Sequence, residues 1–407
     1  MKEKHILVIS QYFYPEQFRI NDICTEWVKS GYKVTVVTGI PNYPEGKFFK
    51  GYGLFKKRKE IYNGIEIIRL PLIPRGNNSI MLILNYLSFV FSGFFWKMFT
   101  KINADHVFIF EVSPMTQALP GIWYAKKRKI PCFLYVQDLW PENVEIVTGL
   151  KNKIILNPIG KMVDYIYRNC DLIFTTSKSF VDSIVERDVP KSKVFYWPQY
   201  AESFYRPLQN VECSKIPNDG KLNIIFTGNI GYAQGLDLLP KAANLLKHNG
   251  LDKKVRFNIV GDGRYKTELL EKIKNNNLDY MFNIIDKQPA EKIPAFLSKC
   301  DAAYLSFADE ELFNKTIPAK LQSYLACGIP IIASAGGESQ RIINESKSGF
   351  CTKTGDEEGL VSSIIKFMNL DDKTKVEMGN RARTYYEENF NKELLLDEMD
   401  NYLQDSL

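Results

Sequence analysis

Short apolar, β-branched runs alternate with amphipathic stretches along almost the whole chain. Strand-like runs are HILVIS, KVTVVTG, IEIIRL, HVFIF, CFLYVQD and DLIFTTS, followed by a second series, NIIFTGN, RFNIVGDG, FNIID, AAYLSF and PIIASA. Between them INDICTEWVKSG, LDLLPKAANLLKHNG and IPAFLSKC carry helical periodicity, and the tail RARTYYEENFNKELLLDEMDNYL reads as helical and charged. Strands alternating with helices make βαβ units and parallel sheets. A polar, proline-bearing run over about 200–220 lacks apolar periodicity and separates the two series as a linker. The expected fold class is therefore α/β: two Rossmann-like, doubly wound domains facing an inter-domain cleft. In such sheets ligands bind beyond the carboxyl ends of the strands.

One stretch departs from this pattern. Residues 79–99, SIMLILNYLSFVFSGFFWKMF, hold a single charge, Lys97, and are long enough to cross a bilayer. Asn85, Ser88 and Ser92 interrupt the run, and a span would cut a continuous βαβ domain in two. Tyr86, Phe89, Phe94, Phe95 and Trp96 suit a helix lying among lipid headgroups. An interfacial helix, a buried core helix and a span remain open, in that order of preference. Nearby, residues 47–59 (KFFKGYGLFKKRK) mix six cations with aromatic rings, a composition that suits an anionic leaflet as well as a solvated loop.

Charge sharpens the picture. Residues 1–200 hold 27 Lys and Arg against 17 Asp and Glu, while the remainder holds 26 against 30. The basic half attracts anionic surfaces. No nucleic-acid motif accompanies it, so a membrane surface is expected as partner and no nucleic acid. The 407 residues, 45% hydrophobic, suffice for two cores. Seven scattered cysteines without a C-x-x-C pair read as reduced thiols, and three separated histidines argue against a histidine metal site or a Ser-His-Asp triad. The N-terminus, MKEKHILVIS, runs directly into a strand and does not read as a signal peptide.

The first strand is followed by QYFYPEQFRIND rather than G-x-G-x-x-G, which argues against a nicotinamide or flavin enzyme, and no Walker A sequence occurs. Four turns of the second domain offer anion-binding chemistry instead. Gly228-Asn229-Ile230-Gly231 leads into Gln234-Gly235, and Gly261-Asp262-Gly263 precedes Arg264. Thr316 is placed to cap the helix that carries Lys320, with Lys315 beside it, and Gly337-Glu338 opens another helix. Glycine turns at helix starts aim free amides and the helix dipole outward. Together the four describe a nucleotide pocket, with Glu338 a ribose acceptor. In the first domain, Asp138 and Glu142 follow a strand's carboxyl end: Glu142 as base and Asp138 as its orienter, or both as favourable charges at a helix start. Asn21, Asn42, Tyr43, Arg75 and Asn85 are acceptor-side candidates.

Several of these motifs carry a family likeness. Phe226-Thr-Gly-Asn-Ile-Gly, Val260-Gly-Asp-Gly and Lys320-Leu-Gln-Ser-Tyr-Leu-Ala-Cys-Gly-Ile-Pro resemble the donor-binding half of family-4 glycosyltransferases. Gly31-Tyr-Lys-Val-Thr, Pro41-Asn-Tyr-Pro-Glu-Gly-Lys, Asn85-Tyr-Leu-Ser-Phe and Gln137-Asp-Leu-Trp-Pro-Glu resemble a bacterial capsule and O-antigen subgroup that includes N-acetyl-L-fucosamine transferases. The likeness implies the GT-B fold and retaining, metal-independent transfer with no cofactor. The expected donor is a nucleotide sugar, UDP-linked, carrying an N-acetylated 6-deoxy sugar. The expected acceptor is a polyprenyl-diphosphate-linked oligosaccharide at the cytoplasmic face of the membrane. It also implies residues 1–200 as acceptor-binding domain, 201–385 as donor-binding domain and 386–407 as a C-terminal helix returning to the first domain. The sequence departs from the family at Lys315 and Ser323, where a glutamate pair is usual, at Asn229 and Gln234, where an arginine and a lysine hold diphosphate, and at Gln137, where many members have histidine. Arg264, Lys315 and Lys320 are the expected replacement cations, and Glu338 the replacement carboxylate. A nucleotide-sugar epimerase of the same fold and a non-catalytic sugar-nucleotide-binding scaffold remain as alternatives.

Overall fold

The computed structural model describes residues 4–76, 78–149, 152–209 and 211–405. The chain divides into two compact units, Met1–Trp197 with Leu396–Leu407, and Pro198–Leu395.

Unit 1 is built on eight strands: β1 (His5–Ile9), β2 (Lys33–Gly39), β3 (Lys59–Tyr62), β4 (Ile65–Leu70), β5 (His106–Glu111), β6 (Cys132–Val136), β7 (Leu172–Thr175) and β8 (Val194–Tyr196). Their order is β3-β4-β2-β1-β5-β6-β7-β8. Every pairing is parallel except β3 with β4. All residues of β1, β5 and β6 are buried, as parallel strands covered on both faces require. Within this unit Tyr402 packs its ring 5.0 Å from those of Phe174 and Phe195, and Lys4 Nζ donates to the Leu403 carbonyl at 3.0 Å.

Unit 2 holds six parallel strands: β9 (Leu222–Asn229), β10 (Val255–Asp262), β11 (Phe282–Ile285), β12 (Ala302–Ser306), β13 (Ile331–Ser334) and β14 (Gly349–Thr352), ordered β11-β10-β9-β12-β13-β14. One face is closed by a core that includes Phe226, Leu239, Leu246, Phe257 and Phe367. Two Rossmann-like, doubly wound sheets are thus present, as the alternation of strands and helices implied. The charged tail is not one helix: it breaks between Asp372–Asn389 and Lys392–Asp405. Phe390 turns inward with no exposed surface, and Asn391 Oδ1 accepts from Leu394 N at 3.1 Å, restarting the chain as a cap does.

The apolar stretch is a single helix, Ser79–Phe99, begun by Asn78, whose side chain accepts from Met81 N. It lies on the domain by its interrupted side: Asn85, Phe89 and Gly93 are buried. The opposite side, including Ile80, Ile83, Leu87, Phe91, Phe95 and Phe99, is exposed and almost wholly apolar. A plain core helix is therefore ruled out by this exposure. Phe89, expected among headgroups, packs inside instead, and Trp96 stacks on Tyr124 at 5.4 Å.

Gly93 sets how closely this helix approaches its neighbour, since an added Cβ would overlap the Pro120 ring of helix Ala118–Arg128. Gly93→Val should therefore push the helix outward and cost about 1–3 kcal/mol in urea unfolding; an unchanged midpoint would show that the contact carries no constraint.

Candidate active site

At the carboxyl ends of β9 and β10 the backbones run so close that side chains are excluded. A Cβ on Gly261 would overlap the Gly228 carbonyl, and one on Gly263 would overlap the Ile230 carbonyl. Gly228, at φ +128°, leaves its space to Lys320, whose Nζ lies 3.8 Å from where a Cβ would stand. Lys320 belongs to helix Ala319–Cys327 and lays its ammonium 4.0 Å over the Phe226 ring. Its Nζ is shielded from solvent and has no hydrogen-bond partner among the described residues. Burial pulls its pKa down from 10.5 to about 7. An amine so placed, beside glycine backbone at a strand end, has the chemistry to pair with an anion.

The other donor candidates divide. Gly228, Asn229, Gln234, Gly261 and Gly263 form one contiguous turn system with Lys320. Gln234 Oε1 accepts from Gly231 N at 3.1 Å, and its carbonyl accepts from Ser306 Oγ at 2.6 Å. Gly337, at φ +55°, opens helix Gly337–Ser346 and presses against the Asn314 backbone. Glu338 is buried and accepts from Arg341 through Nε at 3.1 Å and Nη2 at 2.6 Å, so its Oε2 is held within its own helix. Lys315 pairs with Glu311 at 3.5 Å, and Arg264 is exposed at the margin. Thr316 is not the expected cap. Pro318 occupies that position, and Thr316 Oγ1 turns back to the Leu312 carbonyl at 2.9 Å, satisfying the end of the preceding helical turn.

In unit 1 the acceptor candidates converge on the loops after β1, β2 and β4. Asn42 Oδ1 accepts from Arg75 N at 2.9 Å and sits 3.5 Å from Asn85 Nδ2, which donates to the Ile73 carbonyl at 2.6 Å. Asn21 donates to the Glu16 carbonyl at 2.7 Å. Arg75 reaches Tyr12 Oη at 3.3 Å and lies 5.3 Å from the Tyr43 ring.

Glu16, Tyr12, Gln11 and Tyr86 were not singled out as site residues by the sequence, yet they tie this cluster together. Glu16 Oε1 accepts from the amides of Asn42 (2.8 Å) and Tyr43 (2.6 Å), and Gln11 Nε2 donates to Asn85 Oδ1 at 2.8 Å. Burial raises Glu16 to about 7 against the opposing pull of those amides, and it raises Tyr86, with Arg75 lowering and Asp138 adding to the rise. Gln11 Oε1 and Asn21 Oδ1 are buried without partners among the described residues. Only a strand-end position, with no motif around it, could have flagged Glu16.

Asp138 lies in the loop after β6, and Glu142 opens the helix that follows it. Asp138 Oδ2 accepts from Ser113 N at 2.8 Å, tying this loop to the one after β5. Glu142 is the first residue of helix Glu142–Thr148, where the dipole favours its charge, and its Oε2 is buried without a partner among the described residues. Glu111, missed by the sequence reading, ends β5 entirely buried; burial first, then the Asp138 charge, hold it well above the usual carboxyl range. His5 and His106 lie at the amino ends of β1 and β5, away from these loops.

The comparisons with known proteins agree in chemistry. Residues 18–199 match Glycosyltransferase Family 4, and residues 212–385 match Glycosyl transferases group 1. The chain is built of glycosyltransferase domains. WcaI of Escherichia coli K12, whose name places it in colanic acid biosynthesis as a glycosyl transferase, is 26% identical over 91% of this chain and 92% of its own. Sucrose-phosphate synthase from Thermosynechococcus elongatus superposes with a TM-score of 0.74 at 15% identity, covering 99% of this chain and 98% of that one. Anabaena HepE, solved with UDP and glucose, gives 0.68 at 14% identity over 99% and 100%. The fold of this glycosyltransferase is GT-B. The epimerase alternative gains no support from these relatives.

Glu16 predicts a pH dependence. Its folded pKa lies above the ordinary 4.5, so its contribution is complete below pH 4.5 and lost as pH rises through about 7. Glu16→Gln, which keeps both amide bonds, should flatten the decline in urea stability across that window by up to about 3 kcal/mol; parallel wild-type and variant curves would contradict it.

Proposed function

We propose that this glycosyltransferase moves a sugar from a UDP-linked donor to a polyprenyl-diphosphate-linked glycan, in the synthesis of a bacterial surface polysaccharide. The observation that carries the reading is the solvent-shielded amine of Lys320, without a hydrogen-bond partner among the described residues, beside the glycine turns of β9 and β10. A neutral or half-charged amine there costs little while the site waits, and a diphosphate supplies the partner that makes its charge favourable. The amides opening helix Gly337–Ser346 lie at the same sheet edge and add positive dipole.

In transfer, the anomeric C–O bond breaks toward UDP, which leaves with the electron pair. Lys320 and the turn amides stabilise the growing phosphate charge, the kind of preorganised contact worth about 10²–10³ in rate. The acceptor hydroxyl forms the new bond and gives its proton to Glu142, whose loop Asp138 fastens to Ser113. Retention of anomeric configuration, without metal, and the N-acetylated 6-deoxy sugar follow from the motif resemblance. The acceptor's polar end is assigned to Asn42, Tyr43, Arg75 and Asn85, with Asn21 behind them. Arg264 and Lys315 stay peripheral cations, and Glu338 acts on ribose only if Arg341 shares it.

Peripheral attachment to the inner face of the cell membrane is part of the same reading. It rests on the apolar outer side of helix Ser79–Phe99 and on Phe55, 97% exposed amid Lys50, Lys56 and Lys57. A buried apolar face with flanking cations is how interfacial helices hold anionic lipid.

A panel of UDP-sugars at 100 times the dissociation constant should raise stability by about 2.7 kcal/mol in thermal melts. Lys320→Ala should abolish that gain, and Glu142→Gln should keep it while removing turnover. Donor stabilisation surviving in Lys320→Ala would overturn the donor site. Because the free amine titrates near 7, donor affinity should weaken as pH rises above that value; a flat profile from pH 6 to 9 would count against the assignment.

A further inference from the structure

Beside β4, the C-terminal half of helix Ser79–Phe99 frames an open groove of ≈ 830 Å³. Its walls are Ile68, Leu70, Phe91, Phe95 and Phe99. Three cations, Arg58, Lys59 and Lys101, share the lining with one acid, Glu66. The volume falls inside the roughly 300–1,000 Å³ typical of ligand sites, and neither the donor chemistry nor the acceptor network uses it.

The groove is joined to the acceptor cluster by a continuous track. The chain leaving β4 runs along the helix: Ser92 Oγ donates to the Pro71 carbonyl at 2.5 Å, Ser88 Oγ accepts from Ile73 N at 2.9 Å, and Asn85 Nδ2 donates to the Ile73 carbonyl. Arg75 and Asn42 lie at one end of that track and Phe95 at the other. From Asn85 to Phe95 the helix advances about 15 Å. Phe91, 66% exposed, and Phe99, 75% exposed, belong both to the groove and to the apolar outer face. An elongated molecule with a polar head, a diphosphate and a hydrocarbon tail matches a polar cluster at one end of the track and, at the other, aromatic walls set among cations.

We propose that this groove holds the isoprenoid chain of the lipid-linked acceptor where it leaves the bilayer, with Ile68 and Phe95 as its main contacts. The proposal rests on the acceptor reading above and adds a hydrocarbon-binding site to it. Arg58, Lys59 and Lys101 bring to the groove the positive charge that a lipid diphosphate would need, and an unbranched fatty chain lacks the methyl branches that fill so wide a groove.

Calorimetry of the full chain with geranylgeranyl diphosphate and geranyl diphosphate tests it. The longer compound is expected to bind roughly tenfold or more tightly. Ile68→Gln and Phe95→Gln should each erase that preference, leaving geranyl diphosphate affinity and the melting temperature unchanged. Equal affinity for the two lengths overturns the groove, as does an intact preference in both stably folded variants. Dipalmitoyl phosphatidate binding as tightly as geranylgeranyl diphosphate overturns it in favour of a phospholipid. A dimer that Phe95→Gln dissolves in sedimentation overturns it in favour of a second copy. Sugar transfer to a polyprenyl-diphosphate-linked glycan that is indifferent to lipid length refutes the groove alone. No transfer to any lipid-linked acceptor, with donor binding intact, refutes the acceptor reading and the groove with it.

Discussion

A parallel β-ladder admits every strand at one edge and releases it at the other, and this constraint governs where polar chemistry can stand in both units. Buried on both faces, the strands can offer polar groups only where they end. In unit 2 the loops after β9, β10, β12 and β13 crowd one edge, and crowding is tolerable only because Gly261 and Gly263 carry no side chain, while Gly228 supplies a φ of +128°. Lys320 lies in the space beside Gly228. In unit 1 the same rule gathers Glu16, Asn42, Arg75 and Asp138, which are far apart in sequence, into neighbouring loops.

The two edges answer the cost of buried polarity differently. Lys320 keeps an amine out of water over the Phe226 ring, with no hydrogen-bond partner among the described residues, and accepts a lowered pKa. Glu16 keeps a carboxyl out of water against two amides and accepts a raised one. Each is tuned toward neutrality by burial, so each responds to a charged ligand by more than contact alone, because the ligand also changes the proton count. Glu111 is the extreme of this tendency: burial first, then the Asp138 charge, push its pKa well above the usual carboxyl range.

Alternation of apolar runs and amphipathic stretches was enough to read both sheets, because β1, β5, β6, β12 and β13 are buried throughout. What escaped were β3, β8 and β14, each four residues or fewer and each at a sheet edge, where one neighbour and partial solvent exposure relax the demand for apolar residues. The site was legible where glycine and lysine spacing reflected backbone geometry, as at Gly228, Gly261 and Lys320. It was illegible where a residue's role came from tertiary convergence: nothing near Glu16 in sequence announces the amides of Asn42 and Tyr43. Glu338 is held by Arg341, three residues on in its own helix. Thr316 misled because a proline two positions on took the cap.

Helix Ser79–Phe99 reverses the usual polarity of a surface helix, setting Asn85, Ser88 and Ser92 toward the domain and hydrocarbon toward the outside. Mutational tolerance along it should therefore run backwards. Outward positions, normally the most permissive of a soluble protein, are the ones where adding charge alters behaviour without touching the fold, while the inward polar positions are irreplaceable for folding. Left uncovered in water, the same contiguous apolar face is the surface through which copies of the chain would meet first.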